Sequence, residues 1–250
     1  MRRILKCISA TDKFDAALFS RLNLGVEIQD FTEPNFSLEE KTEILNNYQR
    51  PFQDFSGIKS VHGPFLDMKP ASPDLLIREV SYQRYLDAFQ IATQLNADYL
   101  IFHSQINPFL VKPLIRNLNN RQAKEFWNEI LQETDYRGLV LIENVFEDSP
   151  DMLLQYIQTV NLPNIKVNLD IGHLKARKGS LEGWIKKLRD YIEYIHVHSN
   201  NGLYDLHRSP ADEEVASLFN LLASYNLNPA IALEYEFSNI EEEIARYRQV

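Results

Sequence analysis

The chain has 250 residues, with 26 Lys and Arg against 35 Asp and Glu, so its formal net charge is −9. That length suits one large domain over 1–250, and 44% hydrophobic with 24% charged residues excludes extended disorder. No stretch approaches the ~20 consecutive apolar residues of a membrane-spanning helix, and the acidic balance argues against a general nucleic-acid coat.

In chain order, short apolar runs with strand character cover Ile4–Ile8, Gly25–Gln29, Ile58–His62, Tyr99–His103, Leu139–Glu143, Lys166–Asp170, Tyr194–His198 and Ala230–Tyr235. Helical patterns alternate with them. Asp74–Leu95 repeats Leu76, Val80, Leu86 and Ile91 at roughly helical spacing, and Arg121–Glu133, Pro150–Thr159, Leu181–Arg189 and Ala211–Tyr225 follow. Asp12, Ser37 and Ser149 stand at expected N-caps, and Pro150 suits a first helical position. Eight strands alternating with eight helices is the count of an α/β protein of the (β/α)₈ TIM-barrel type. A doubly wound open sheet usually carries a glycine-rich first turn, whereas this one reads Ser9-Ala10-Thr11-Asp12. The barrel is the expected fold. A long connection is expected from Ser104 to about Asn120. The apolar run after Met1-Arg2-Arg3 is too short for a signal peptide. Cys7 is the single cysteine and cannot form an internal disulfide, so a reducing, cytoplasmic setting is expected. An oligomer is compatible with the sequence.

The informative residues close the strands. His62 ends the third run, His103 the fourth, Glu143 the fifth and Asp170 the sixth, with His173 just beyond. His196 and His198 end the seventh, and Glu234 the eighth. The sixth histidine, His207, lies two residues after Asp205 in the following loop. A barrel gathers all its strand ends on one face, where barrel enzymes keep their chemistry. Imidazoles and carboxylates gathered there are the ligands of Zn²⁺, Mn²⁺ or Co²⁺. One member of the pair His196/His198, and one of Glu234/Glu236, suffices as a direct ligand. Gly172 is expected to turn the chain so that Asp170 and His173 face one cavity.

The motifs His62-Gly63-Pro64, Phe102-His103-Ser104, Ile142-Glu143-Asn144, Leu169-Asp170-Ile171-Gly172-His173, His196-Val197-His198 and Asp205-Leu206-His207 resemble, in order and placement, the xylose isomerase-like barrel superfamily. That group holds sugar-phosphate isomerases and epimerases, and abasic-site nucleases of the endonuclease IV type. The nuclease resemblance implies up to three zinc ions. One would sit on His62, His103 and Glu143; a second on Glu143, Asp170, His196 and Glu234; a third on His173, Asp205 and His207. The isomerase resemblance implies one ion on Glu143, Asp170, His196 and Glu234, with Glu143 and Glu234 exchanging protons around an enediolate. The chain departs from the family pattern at Ser199-Asn200 after strand seven, and at Arg208-Ser209-Pro210, where a glycine-rich turn is usual.

Two chemistries and one binding role follow from this set. The first is a metal-dependent isomerase or epimerase of a small sugar or sugar phosphate, with Lys175, Arg177 and Arg208 as phosphate-binding candidates. The second is zinc-dependent phosphodiester cleavage at abasic sites in DNA, for which Lys69, Lys112, Arg116 and Lys178 are further cationic candidates. A non-catalytic metal- or sugar-binding barrel is the third. Phe65, Leu66 and Met68 could wall a pocket or wedge into DNA. One compact basic loop, Lys175-Ala176-Arg177-Lys178, and no long basic stripe favours the small substrate over a duplex.

Overall fold

The computed structural model describes residues 2–33 and 35–249; the side chain of Asp12 also lies outside the described residues. The chain folds into a closed barrel of parallel strands, each hydrogen-bonded to the next and the eighth returning to the first. The strands are β1 (Ile4–Ile8), β2 (Gly25–Ile28), β3 (Lys59–His62), β4 (Tyr99–His103), β5 (Leu139–Glu143), β6 (Ile165–Asp170), β7 (Ile192–Val197) and β8 (Ala230–Leu233). The connecting helices are α1 (Ala16–Arg21), α2 (Leu38–Phe52), α3 (Leu75–Gln94), α4 (Pro113–Glu133), α5 (Pro150–Val160), α6 (Ile171–Ala176), α7 (Leu181–Leu188), α8 (Asp212–Ser224) and α9 (Ile240–Gln249). Among the described residues, no helix is long and apolar enough to cross a membrane.

Alternation along each strand divides the core in two. Val26, Val61, Leu100, Phe102, Val140 and Ile142 pack outward against the helices. Leu5, Cys7, Tyr99, Ile101, Leu141 and Tyr194 fill the barrel itself. The polar strand ends lie above that apolar plug.

Two expectations are corrected. The connection after β4 is shorter than expected, because α4 starts at Pro113 rather than near residue 121. Asp12 falls inside a 3₁₀ turn, Thr11–Lys13, and Asp15 caps α1 by accepting from the Leu18 N–H at 2.9 Å. Ser37 and Ser149 do cap α2 and α5.

Register delivers the site. His103 pairs with Glu143, Glu143 with Asn168, and Asp170 with His196 across successive strands. A slip between Val167 and Asn168 offsets β6 from β7 and aligns the last of these pairs. Behind His62, a Cβ on Gly63 would meet the Phe102 ring at 2.4 Å, so glycine is required for that close approach. Phe102 stacks on Tyr85 with ring centroids 4.1 Å apart. Phe102→Ala should destabilise the fold by about 3–5 kcal/mol, the usual range for emptying a buried aromatic site. Denaturant unfolding measures this, and a loss below about 1 kcal/mol would contradict the packing described.

Candidate metal centre

Hydrogen bonds place the side chains at the ends of β3, β5 and β6, and ring stacking places the one at β4. At β3, the His62 Nδ1–H donates to the Gly63 carbonyl at 2.9 Å, which leaves Nε2 facing Glu143 Oε2 at 3.4 Å. At β4, the His103 ring lies flat against Phe65, 4.4 Å between centroids, with Nε2 3.5 Å from Glu143 Oε1. Glu143 is buried at the end of β5 and accepts from Asn168 Nδ2 at 2.8 Å. Asp170 ends β6 and caps α6, accepting from the His173 N–H at 2.6 Å. Asn144 grips the Asp170 backbone on both sides, at 2.9 Å each.

Gly172 acts differently from the sequence expectation. It lies inside α6, and a Cβ there would come within 2.0 Å of His198 Cε1. Glycine is needed for the approach of that ring, and the helix cap at Asp170 makes the turn. His173 Nδ1 donates to the Asn144 carbonyl at 2.9 Å, and Nε2 stands 3.2 Å from Asp205 Oδ2. Ser199 and Arg208 pair through both backbone N–H groups, at 2.7 and 2.8 Å, and fold the loop after β7 back on itself. Asp205 and His207 return to the site by that fold, and the His207 ring stacks on His198 at 4.1 Å.

The centre of the arrangement is His196. Its Nδ1 lies 3.2 Å from Glu143 Oε2, 3.2 Å from Glu234 Oε2 and 3.7 Å from Asp170 Oδ2. Neither Nδ1 nor Glu234 Oε2 makes a hydrogen bond, although both are buried. Buried polar atoms rarely stay unpaired. Ligands about 2.0–2.2 Å from a tetrahedral metal lie roughly 3.3–3.6 Å from one another, so these contacts suit donors around a shared cation. Grouped donor atoms, all within 4.8 Å of one another, fall into His62/His103/Glu143, Glu143/Asp170/His196, Asp170/His198/Glu234, His173/His198/Asp205/His207 and, deeper in the barrel, Cys7/Glu27/His196. The structure therefore brings together all nine side chains expected as ligands. His198 joins them. Glu236 turns outward to Lys13 Nζ at 2.8 Å and does not.

Charge in this space is finely opposed. Burial alone would raise Glu143 and Asp170, but the surrounding imidazoles outweigh it and hold both well below the ordinary carboxylate range. Burial is outweighed at Glu234 too, chiefly by His196, and its carboxyl lies at about 2. Burial would lower His173 and His196, but Asp170 beside the first and Glu234 beside the second hold both well above an ordinary imidazole. At His103 burial wins and brings the ring down to about 4. A metal ion would thus release protons from His173 and His196 as it bound.

A cavity of about 780 Å³ opens above the cluster. Phe65, Leu66, Phe146 and Leu203 line it with Lys69 and Arg177. Of the phosphate-binding candidates, Arg177 alone reaches this wall, its guanidinium 5.3 Å from the Phe146 ring. Lys175 points away, donating to Ser199 Oγ at 2.8 Å and Glu214 Oε1 at 2.6 Å. Arg208 is exposed and does not line the cavity, nor do Lys112, Arg116 and Lys178. Met68 is buried beneath the loop. Sequence reasoning missed Glu27 and Gln29 of the second strand run. Gln29 donates to Glu27 Oε1 at 3.1 Å and to Glu234 Oε1 at 2.6 Å.

Residues 24–250 match the family model described as xylose isomerase-like TIM barrel. Two uncharacterised proteins of Methanocaldococcus jannaschii are similar in sequence, one 26% identical over 156 residues and the other 30% over 160. Those alignments take in 59% of this chain, and 53% and 58% of the relatives, so the chain spans little more than half their length. Among solved structures, a Thermus thermophilus protein soaked with ZnCl₂ has a TM-score of 0.75 at 22% identity, over 99% of this chain and 97% of that one. A D-tagatose 3-epimerase-like protein gives 0.71 at 20% identity, over 99% and 95% of the two chains. A family 2 AP endonuclease from Brucella melitensis gives 0.69 at 17%, over 100% and 99%. At these identities the likeness concerns the fold.

His196→Ala and Asp170→Ala should each lower the divalent metal retained after dialysis, since each removes a donor from the centre. Elemental analysis measures it. Unchanged stoichiometry in both variants would contradict the assignment.

Proposed function

The chain belongs to the xylose isomerase-like TIM barrel family, and on that premise we propose that it is a metal-dependent isomerase or epimerase of a small sugar or sugar phosphate. One observation carries this reading. The carboxylates of Glu143 and Glu234 come from different strand ends, and each presents its Oε2 3.2 Å from the same atom, His196 Nδ1.

Such a pair can flank one carbon of a bound sugar. Gln29 holds Glu234 by Oε1, which fixes the carboxylate, and Oε2 lies buried without a hydrogen bond. His196 keeps that carboxyl at about 2, so it is ionised throughout the neutral range. Asn168 holds Glu143 by Oε2, fixing the second carboxylate for return of the proton. A bound divalent ion would polarise a carbonyl and the hydroxyl beside it, and offset the negative charge that develops as the proton leaves. His62, His103, Glu143, Asp170, His173, His196, His198, Asp205, His207 and Glu234 are the residues that would hold one to three such ions, with Zn²⁺ or Mn²⁺ suited to these donors.

The cavity supports a small substrate. About 780 Å³ is within the size range of small-molecule sites, and its wall carries the cations Lys69 and Arg177 rather than a basic track. Arg177 on the cavity wall is the phosphate- or hydroxyl-binding residue of this reading.

A second reading, phosphodiester cleavage at abasic sites in DNA, is favoured by the size of the ligand set. One ion on Glu143, Asp170, His196 and Glu234 leaves His62/His103 and His173/Asp205/His207 without a task. Several adjacent cations are what phosphodiester hydrolysis uses.

Glu234→Gln keeps the shape of the side chain and removes its basicity. Turnover should fall by about 10²-fold or more while substrate still binds. The assay is solvent deuterium incorporation next to the carbonyl across a panel of ketoses and their phosphates. If no sugar exchanges its proton and an abasic duplex is nicked in a metal-dependent way, the second reading replaces the first.

A further inference from the structure

β2 reads Gly25-Val26-Glu27-Ile28, a carboxylate set in an apolar run. Val26 and Ile28 pack outward against the helices, so alternation turns Glu27 into the barrel. It pairs in register with Cys7 on one side and Ser60 on the other, and it is fully buried. An acid in such a place must be held by several donors. Glu27 Oε2 accepts from the Tyr194 hydroxyl at 2.7 Å and meets His196 Nε2 at 2.9 Å, while Oε1 accepts from Gln29 at 3.1 Å.

His196 has two ring nitrogens, and Glu27 engages only the outer one. With Nε2–H donating to the carboxylate, Nδ1 is the nitrogen left to give its lone pair to a cation, and it faces Glu143, Glu234 and Asp170. The same device recurs at His62 and His173, where backbone carbonyls take the outer proton. At His196 the backbone cannot do so, because the ring projects into the barrel, and a charged acceptor stands there instead. Gln29 extends the link, since it donates to both Glu27 and Glu234.

From this geometry we propose that Glu27 is a positioning residue of the metal centre: it fixes the tautomer and rotation of His196 and, through Gln29, the orientation of Glu234. A carboxylate behind a ligating imidazole also raises its basicity and strengthens its bond to a cation. The proposal rests on the reading of the strand ends as a metal centre.

The test uses purified Glu27→Gln, which keeps the volume and loses the charge. Co²⁺ titration followed by visible absorption should give an affinity about 10- to 100-fold weaker than wild type, with a displaced d–d band. A purely structural role would change thermal stability and leave the band position unmoved in the folded fraction. Wild-type affinity and an unmoved band in folded Glu27→Gln would overturn the proposal while leaving the metal centre standing. Absence of Co²⁺ binding by the wild-type protein would defeat the metal reading itself. Should the variant not fold, ¹⁵N-imidazole spectra of the zinc-loaded wild type decide: a proton on His196 Nε2 is expected, and one on Nδ1 overturns the assignment.

Discussion

Four carboxylates share one water-poor space. Glu27, Glu143, Asp170 and Glu234 are all buried at the strand ends or just beneath them. Taking even one such charge out of water costs several kcal/mol unless opposite charge and hydrogen bonds repay it. Here the compensation comes from His62, His103, His173, His196 and His198, packed against the acids at 2.9–3.8 Å. Protons on His62, His173, His196 and His198 can balance the acids in the absence of a cation, and divalent ions can replace the protons. The rest of the structure reads as the means of holding this arrangement in place.

The barrel supplies the rigid part. Parallel register sets His103 beside Glu143 and Asp170 beside His196, so no loop has to position those side chains. Asn144 and Asn168 then tie β5 to β6, and β6 to β7, through side chain to backbone hydrogen bonds. The half-exposed members, Asp205 and His207, come from a loop instead. Their place depends on the Ser199–Arg208 bridge and on stacking against His198. The floor of the centre is thus set by strands and its mouth by a loop.

The strands were legible because buried parallel strands are short apolar runs, and a polar residue marks where each leaves the core. Histidines and acids at those ends carried the metal reading for the same reason. What the sequence hid was not local. The first turns of α4 were missed because Leu114 and Leu118 face solvent and Lys112 makes no capping bond, so neither the apolar face nor the start signal was present. Glu27 escaped notice because an acid in a strand usually points to water, and only barrel closure turns it inward. The spacing around Gly172 suggests a sharp turn, whereas its neighbour His198 lies far along the chain and dictates glycine by contact. Lys175 and Arg177 read as one basic loop in the sequence, yet α6 ends between them and sends them to different partners.

The unpaired atoms at the heart of this site are, on this reading, ligand atoms. Anomalous diffraction at the zinc edge, from crystals of the zinc-loaded protein, tests that most directly. A peak is expected within bonding distance of His196 Nδ1, Glu143 Oε2 and Glu234 Oε2. A zinc-loaded crystal with no peak there, or with those atoms hydrogen-bonded to one another, would contradict it.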